Sequence, residues 1–221
     1  MVLDLLLPLH CGGCGAAGQA WCARCARDLA AETATSPGQR RFAVLQHPLP
    51  AVHVAGRYGG VLRTALLAYK ERGRRDLAVP LAAALAGALA RAHAETDRPC
   101  VPVPVPASRA GLRARAIDHV ATLLQSVPPP WTVPAGQPAL LGWTRSVSDQ
   151  AGLGAAARAG NLVGALRARP PRAPWPPSAA VLLIDDVVTT GATLAEAARA
   201  CRAAGWPVAG AVALAATRTN G

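Results

Sequence analysis

The residues best equipped for chemistry stand together between Ala180 and Leu194, in the run AVLLIDDVVTTGATL. Asp185 and Asp186 are adjacent carboxylates. Thr189, Thr190 and Thr193 supply hydroxyls, and Gly191 and Ala192 keep the backbone between them unobstructed. Such a loop in front of a helix offers N–H groups and the positive end of the helix dipole to an anion, phosphate above all. The two acids cannot bind that phosphate themselves. They suit the sugar hydroxyls beside it, or a metal carried by the substrate. The elements that must position these groups can be read on either side. Val181-Leu182-Leu183-Ile184 has the length and branching of a buried parallel strand. Thr193 and Glu196 have the spacing of a capping box, which predicts a helix start there. That helix is expected from Leu194 to Ala204, with Gly205 as its stop. Without this order, the same residues would read as an ordinary strand-to-helix turn with an exposed acid pair.

The stretch resembles the signature of type I phosphoribosyltransferases. The resemblance implies that Asp185 and Asp186 bind the ribose 2′- and 3′-hydroxyls of phosphoribosyl pyrophosphate. It implies that Thr189, Thr190, Gly191, Ala192 and Thr193 wrap the 5′-phosphate.

A second chemical cluster lies near the N-terminus. Cys11 and Cys14 form one CxxC pair and Cys22 and Cys25 another, with seven residues between the pairs. Each pair brings two sulfurs to one ion across a tight turn, and two such knuckles make a tetrahedral Cys₄ zinc site. A disulfide pair and a redox CxxC are the competing readings, both less suited to a reducing compartment. His10 is a weaker substitute ligand. Residues 1–35 contain almost no core of their own, so metal would supply folding energy there. Leu3, Leu5, Leu6 and Leu7 are expected to pack this knuckle onto the rest of the chain. Cys100 and Cys201 fall in a predicted strand and helix and read as buried, inert thiols.

The remaining chain alternates strands and helices. Val52 to Gly56 is the first expected strand. A helix follows from Val61 to Glu71, with Leu62, Ala65, Leu66 and Tyr69 on one face, and then a basic turn, Lys70 to Asp76, containing Gly73 as a helix stop. Leu77 to His93 is apolar nearly all round and is expected as a buried helix. The strand in Pro99 to Pro106 must finish near Val103, because proline is disfavoured in central strands. A rigid turn, open to cis peptides, should follow it. Ser108 is the expected N-cap of a helix running to about Gln125. Arg109, Arg113 and Arg115 lie near its first turns, where positive charge is unfavourable unless an anion is close. A short strand, Ala139 to Trp143, precedes the polar stretch Thr144 to Gln150, and Arg167 to Pro177 reads as a proline-rich linker. Val208 to Ala215 is the last strand. The pattern predicts an α/β fold, a mainly parallel sheet with helices on both faces.

Composition sets the bounds. The 221 residues are 52% hydrophobic but only 4% aromatic. A sizeable core is therefore expected, close-packed and with few large anchors. The formal net charge of +11 attracts nucleic acid, phosphorylated ligands or anionic lipid without choosing among them. The charge is scattered rather than gathered in a tail. Leu77 to Ala92 is interrupted by Pro80 and short for a membrane span. The N-terminus lacks the basic region of a signal peptide and carries Asp4. A cytoplasmic protein with no membrane span is the expectation.

The order of these pieces resembles the ComF family of phosphoribosyltransferase-like proteins. The double CxxC is similar to that family's zinc knuckle, and Tyr69-Lys70-Glu71-Arg72-Gly73 to its lysine-glycine element. Val103-Pro104-Val105-Pro106, with Arg109, Arg113 and Arg115, resembles its proline-arginine element. Thr144-Arg145, with Gln150, Arg158 and Asn161, resembles its mobile loop. Ala116-Ile117-Asp118-His119 departs from the Gly-Phe-Asn-Gln often found there. The resemblance implies three divisions: a zinc knuckle at 1–35, a linker at 36–50 and a phosphoribosyltransferase-like domain at 51–221. It implies phosphoribosyl pyrophosphate bound with magnesium at the carboxyl ends of the strands. Val105, Arg109, Arg113 and Arg115 would meet the pyrophosphate, and Arg145 and Gln150 would lie on a lid. Transfer of the phosphoribosyl group to an unidentified acceptor is one implied activity. The alternative is a non-catalytic role in competence and DNA uptake. There the partners would be single-stranded DNA or competence-machinery proteins, and the pocket would sense nucleotide phosphate.

Overall fold

The computed structural model describes residues 9–35, 38–40, 42, 49, 51–108, 111, 117–131, 139–145, 160–171 and 178–217. In chain order the elements are α1 (Ala23–Ala34), β1 (Gln39–Arg40), β2 (Val52–Arg57), α2 (Gly60–Glu71), α3 (Ala78–Ala94), β3 (Cys100–Pro104), α4 (His119–Gln125), β4 (Leu141–Trp143), β5 (Leu166–Ala168), β6 (Ala180–Val188), α5 (Ala192–Ala203) and β7 (Val208–Ala216). A 3₁₀ turn, Arg75–Leu77, joins α2 to α3.

The main sheet has the order β1-β2-β7-β6-β3. Its four long strands, β2, β7, β6 and β3, are all parallel, and the two-residue β1 is antiparallel on the edge of β2. Strands β4 and β5 form a separate antiparallel pair. The apolar run in β6 alternates between two cores. Leu182 and Ile184 face Leu62, Leu81, Leu85 and Leu123 from α2, α3 and α4. Val181 and Leu183 face Leu194, Ala198 and Cys201 from α5, with Leu141 of β4 and Leu166 of β5. Alanines 211, 213 and 215 of β7 are fully buried, which fits a core built from small side chains. Each buried leucine contributes about 1.5–3 kcal/mol.

Among the described residues one helical run, Arg75–Ala94, is long and apolar enough by length and composition to cross a membrane. Its Leu77, Leu81, Leu85 and Leu89 are fully buried, and α3 packs on β2 and β7. Those features make it a core helix. The glycine stop is present, with Gly73 in the left-handed region at φ 64° just past Arg72.

Several expectations are corrected. Helix α5 begins at Ala192 after Gly191, and Glu196 does not complete a capping box. Its carboxylate accepts the Leu166 N–H at 3.0 Å and the Arg199 guanidinium at 2.7 and 2.8 Å, so a tertiary contact outcompetes the local cap. Arg167 and Ala168, expected at the start of a linker, belong with Leu166 to β5 and pair with β4 instead. Helix α4 starts on Asp118, whose Oδ1 accepts the N–H groups of Val120 and Ala121. Ser108 does act as an N-cap: its Oγ accepts the Gly111 N–H at 3.0 Å and residue 111 is helical, while residues 109–110 and 112–116 lie outside the described residues. The cis peptide joins Pro129 and Pro130 rather than lying in the turn after Val103. Cys201 is fully buried, whereas Cys100 is only half-buried.

Candidate functional site

The two aspartates at the carboxyl end of β6 have different surroundings. Asp185 is half-buried, and its Oδ1 accepts the Asp186 N–H at 2.8 Å. Asp186 is 6% exposed, and its Oδ1 accepts the Val187 N–H at 2.7 Å. Its Oδ2 meets Lys70 Nζ at 2.5 Å and His119 Nε2 at 2.8 Å. The Tyr69 hydroxyl donates to the His119 carbonyl at 3.0 Å. The last turn of α2, the first residue of α4 and the end of β6 therefore meet at one carboxylate. Burial alone would raise Asp186, but the His119 hydrogen bond and the Lys70 charge outweigh it, holding the carboxyl well below the usual range. Burial and the neighbouring Asp186 charge push Asp185 well above that range. His119 Nδ1 is buried with no partner among the described residues.

The hydroxyl loop follows directly. Thr189 is exposed and Thr190 and Thr193 are half-buried. Gly191 is left-handed, φ 79°, so the chain turns from β6 into α5 without a Cβ penalty. A Cβ there would lie 2.6 Å from Leu49 Cδ2 and 3.2 Å from Phe42 Cβ, so both residues sit against the loop. Thr190 Oγ1 accepts the Ala192 N–H at 3.4 Å, and the first helical bond runs from Ala195 to the Gly191 carbonyl. The N-terminus of α5 thus follows the acid pair by a few residues at the carboxyl end of β6, where open α/β folds take ligands, with its first N–H, that of Ala192, held by Thr190.

The turn after β3 is firmly held. The Val105 N–H donates to the Ile184 carbonyl at 2.8 Å, and the Ala107 N–H to Asp118 Oδ2 at 3.0 Å. Trp143 Nε1 donates to the carbonyls of Pro106 and Ala107. Val105 is buried and its amide is committed, so it offers a ligand no backbone donor. Among the described residues Lys70, with its side chain 29% exposed, is the cation paired with Asp186. Arg109, Arg113, Arg115, Gln150 and Arg158 lie outside the described residues. Arg145 donates to the carbonyls of Asn161 and Val163 at 2.6 and 3.2 Å, and Thr144 to those of Gly164 and Ala165. Both residues tie 144–145 to 161–165, and residues 146–159 lie outside the described residues.

The four N-terminal cysteines converge. Their sulfurs all lie within 4.8 Å of one another, and Cys14 Sγ is 3.7 Å from Cys22 Sγ. A tetrahedral zinc with bonds of about 2.3 Å sets its sulfurs about 3.8 Å apart, so the cluster fits the ion. All four thiols are unbridged, and their common meeting point suits one ion better than two separate bridges. Backbone N–H groups of Cys22 and Cys25 point at Cys11 Sγ and Cys22 Sγ. At Cys11, burial works to raise the thiol, but N–H groups of Cys14, Cys22 and Gly13 bring it down to about 6. The leucines expected to dock this knuckle lie outside the described residues. Three other contacts are seen. Arg74 donates to the His10 and Ala20 carbonyls at 2.8 and 3.1 Å while paired with Asp76. Glu32 of α1 accepts the Val61 and Leu62 N–H groups at 2.9 and 3.0 Å, capping α2. Gly12 lies on Leu77, with space for no Cβ.

Sequence reasoning missed His119, Glu32 and Arg74. For His119 a signal existed, the departure at Asp118-His119. Glu32 and Arg74 carry none, because their partners are backbone groups far along the chain. No family model matches the chain, and no curated protein matches it.

Proposed function

We propose that the chain is a phosphoribosyltransferase-like protein of the ComF type, which binds phosphoribosyl pyrophosphate with magnesium at the carboxyl edge of its parallel sheet. One observation carries the reading. An acid pair, a hydroxyl loop, a left-handed glycine and a helix N-terminus follow one another without a break at the end of a central strand. In this reading Thr189 to Thr193 and the α5 amides hold the 5′-phosphate. Asp185, the more accessible acid, takes the ribose diol. Asp186 keeps its place in the site by fixing Lys70, whose ammonium faces the pyrophosphate in place of the Val105 amide. Magnesium arrives on the substrate and keeps several waters.

The chemistry that follows is glycosyl transfer. An acceptor atom bonds to ribose C1 as the bond from C1 to the pyrophosphate oxygen breaks, and pyrophosphate leaves with the electron pair. No protein nucleophile is required; positioning and charge stabilisation supply the rate. Titration calorimetry with phosphoribosyl pyrophosphate and magnesium tests the pocket. One site per chain is expected, with binding lost in Asp185→Asn. Absence of binding by the unaltered chain would overturn the proposal.

The exposed arginines of α1 and α2 and the basic turn after them, Arg24, Arg27, Arg63, Arg72 and Arg75, favour a second reading: a non-catalytic accessory that contacts single-stranded DNA. Fluorescence anisotropy against salt decides it. Affinity that falls steeply with salt is expected, and weak binding even at low salt would argue against it.

A further inference from the structure

Helix α2 is gripped by the cysteine knuckle at both ends. At its N-terminus the Glu32 carboxylate takes two orphan N–H groups, Val61 and Leu62. Gly60 is left-handed there, φ 51°, and a Cβ on it would lie within 2.0 Å of Glu32 Oε1, so the carboxylate is seated where no side chain intrudes. Just past its C-terminus, Arg74 is locked by Asp76 and donates to two carbonyls of the knuckle. Leu77 fills the space under Gly12, next to the ligating Cys11. Between these grips α2 presents two adjacent residues to the sheet edge. Tyr69 bonds the His119 carbonyl and Lys70 bonds Asp186. Around its sulfurs the knuckle has only a small cluster, Cys11, Cys22 and Cys25 against Trp21 and, from α2, Val61, while Leu29 of α1 reaches the main core. Its shape, and with it the places of Glu32 and of the two carbonyls, depends on what holds the four sulfurs together.

We infer that the cysteine knuckle positions Lys70: Glu32 and Arg74 hold α2 in the register that sets Lys70 on Asp186, so zinc in the knuckle raises the affinity of the sheet-edge pocket for phosphate-bearing ligands. Glu32 and Arg74 are positioning residues that touch no ligand themselves. The claim about α2 stands on the contacts just described; the claim about ligand affinity rests on the pocket proposed above. Coupling of this kind is reciprocal, so a bound anion must tighten zinc by the factor by which zinc tightens the anion.

The test compares four forms of the full chain: zinc-loaded, stripped by chelator under reductant, Glu32→Ala and Arg74→Ala, with Glu32→Gln as a gentler variant should Glu32→Ala unfold. Calorimetry uses inorganic pyrophosphate with magnesium, and ribose 5-phosphate, as probes. Hydrogen exchange across 65–71 and the His119 imidazole resonances report the Lys70–Asp186–His119 cluster independently of any ligand. Stripping zinc is expected to weaken pyrophosphate at least about tenfold, to speed exchange in 65–71 and to shift the His119 resonances, while β6 and β7 stay protected. Both substitutions should do the same with zinc still bound. Pyrophosphate should raise the chelator concentration needed to remove zinc by a matching factor. Unchanged exchange and unchanged His119 resonances after zinc loss would overturn the coupling. A zinc-loaded chain that binds neither probe would overturn the pocket reading instead, and the coupling is then decided by the exchange and imidazole readouts.

Discussion

Asp185 and Asp186 are neighbours in sequence with opposite electrostatics, and their substitutions should separate stability from binding. For Asp185, burial and the adjacent anion lift the folded pKa above its unfolded value. Its stabilising contribution is full below the unfolded pKa, about 3.9, and is lost as pH rises through the folded one. Above the unfolded pKa, the burial and neighbouring charge that oppose its ionisation count against the fold. Asp185→Asn is therefore expected to raise the thermal midpoint by about 2–4 °C at pH 7 while abolishing phosphoribosyl binding; calorimetric melting beside ligand titration checks both. Asp186 runs the other way. Burial opposes its charge, but His119 and Lys70 hold its folded pKa well down. Its contribution is full above the unfolded value and is lost as pH falls through the folded pKa, below about pH 4. Asp186→Asn leaves His119 and Lys70 without their anion. Because Lys70 can still reach water, the cost at pH 7 is about 2–3 kcal/mol, short of a fully buried pair. Denaturant unfolding at pH 3 and pH 7 should show that the cost shrinks in acid.

At the scale of elements, Gly191 and Glu196 decide how α5 is placed. Gly191 alone lets β6 turn directly into the helix, so Gly191→Ala meets both a left-handed backbone penalty of about 1–2 kcal/mol and the contact with Leu49. A loss of about 2–3 kcal/mol in chemical denaturation is expected, with phosphate-ligand binding weakened as well. Glu196→Ala strands the buried Leu166 N–H and frees Arg199. It should cost about 1–3 kcal/mol and speed exchange in β4 and β5 while sparing β6. These two residues also show what could be read beforehand. The strand, the acids, the loop and the helix were legible because glycine and apolar periodicity are local signals. The start of α5 was misplaced because Glu196 has the right spacing for a cap but is claimed by a strand 30 residues away. Strands β1 and β5, of two and three residues, are too short for any period to register. The Asp186–His119 pair joins positions 67 apart, which no window along the chain connects.

At the scale of the molecule, two cores flank one sheet, and the cysteine knuckle has a small cluster of its own that joins the α2–α3 core through Leu29, Trp21 and Val61. That division predicts an unequal response to metal. The two main cores contain the large buried leucines and do not depend on an ion, whereas the knuckle has almost no apolar burial to replace one. Cobalt in place of zinc should give the intense thiolate charge-transfer and tetrahedral d–d bands of a four-sulfur site, at one ion per chain. Cys14→Ser, at the exposed ligand, and Cys25→Ser, at a buried one, should each weaken the ion and alter those bands. Chelation should raise the exchange of α1 amides to near the unfolded rate while amides of β6 and β7 keep global protection. A cobalt spectrum without thiolate bands would show that the four sulfurs do not act as one site. Collapse of protection in the sheet together with α1 would show that the knuckle belongs to the main cooperative unit, joined to it through Leu29, Trp21 and Val61.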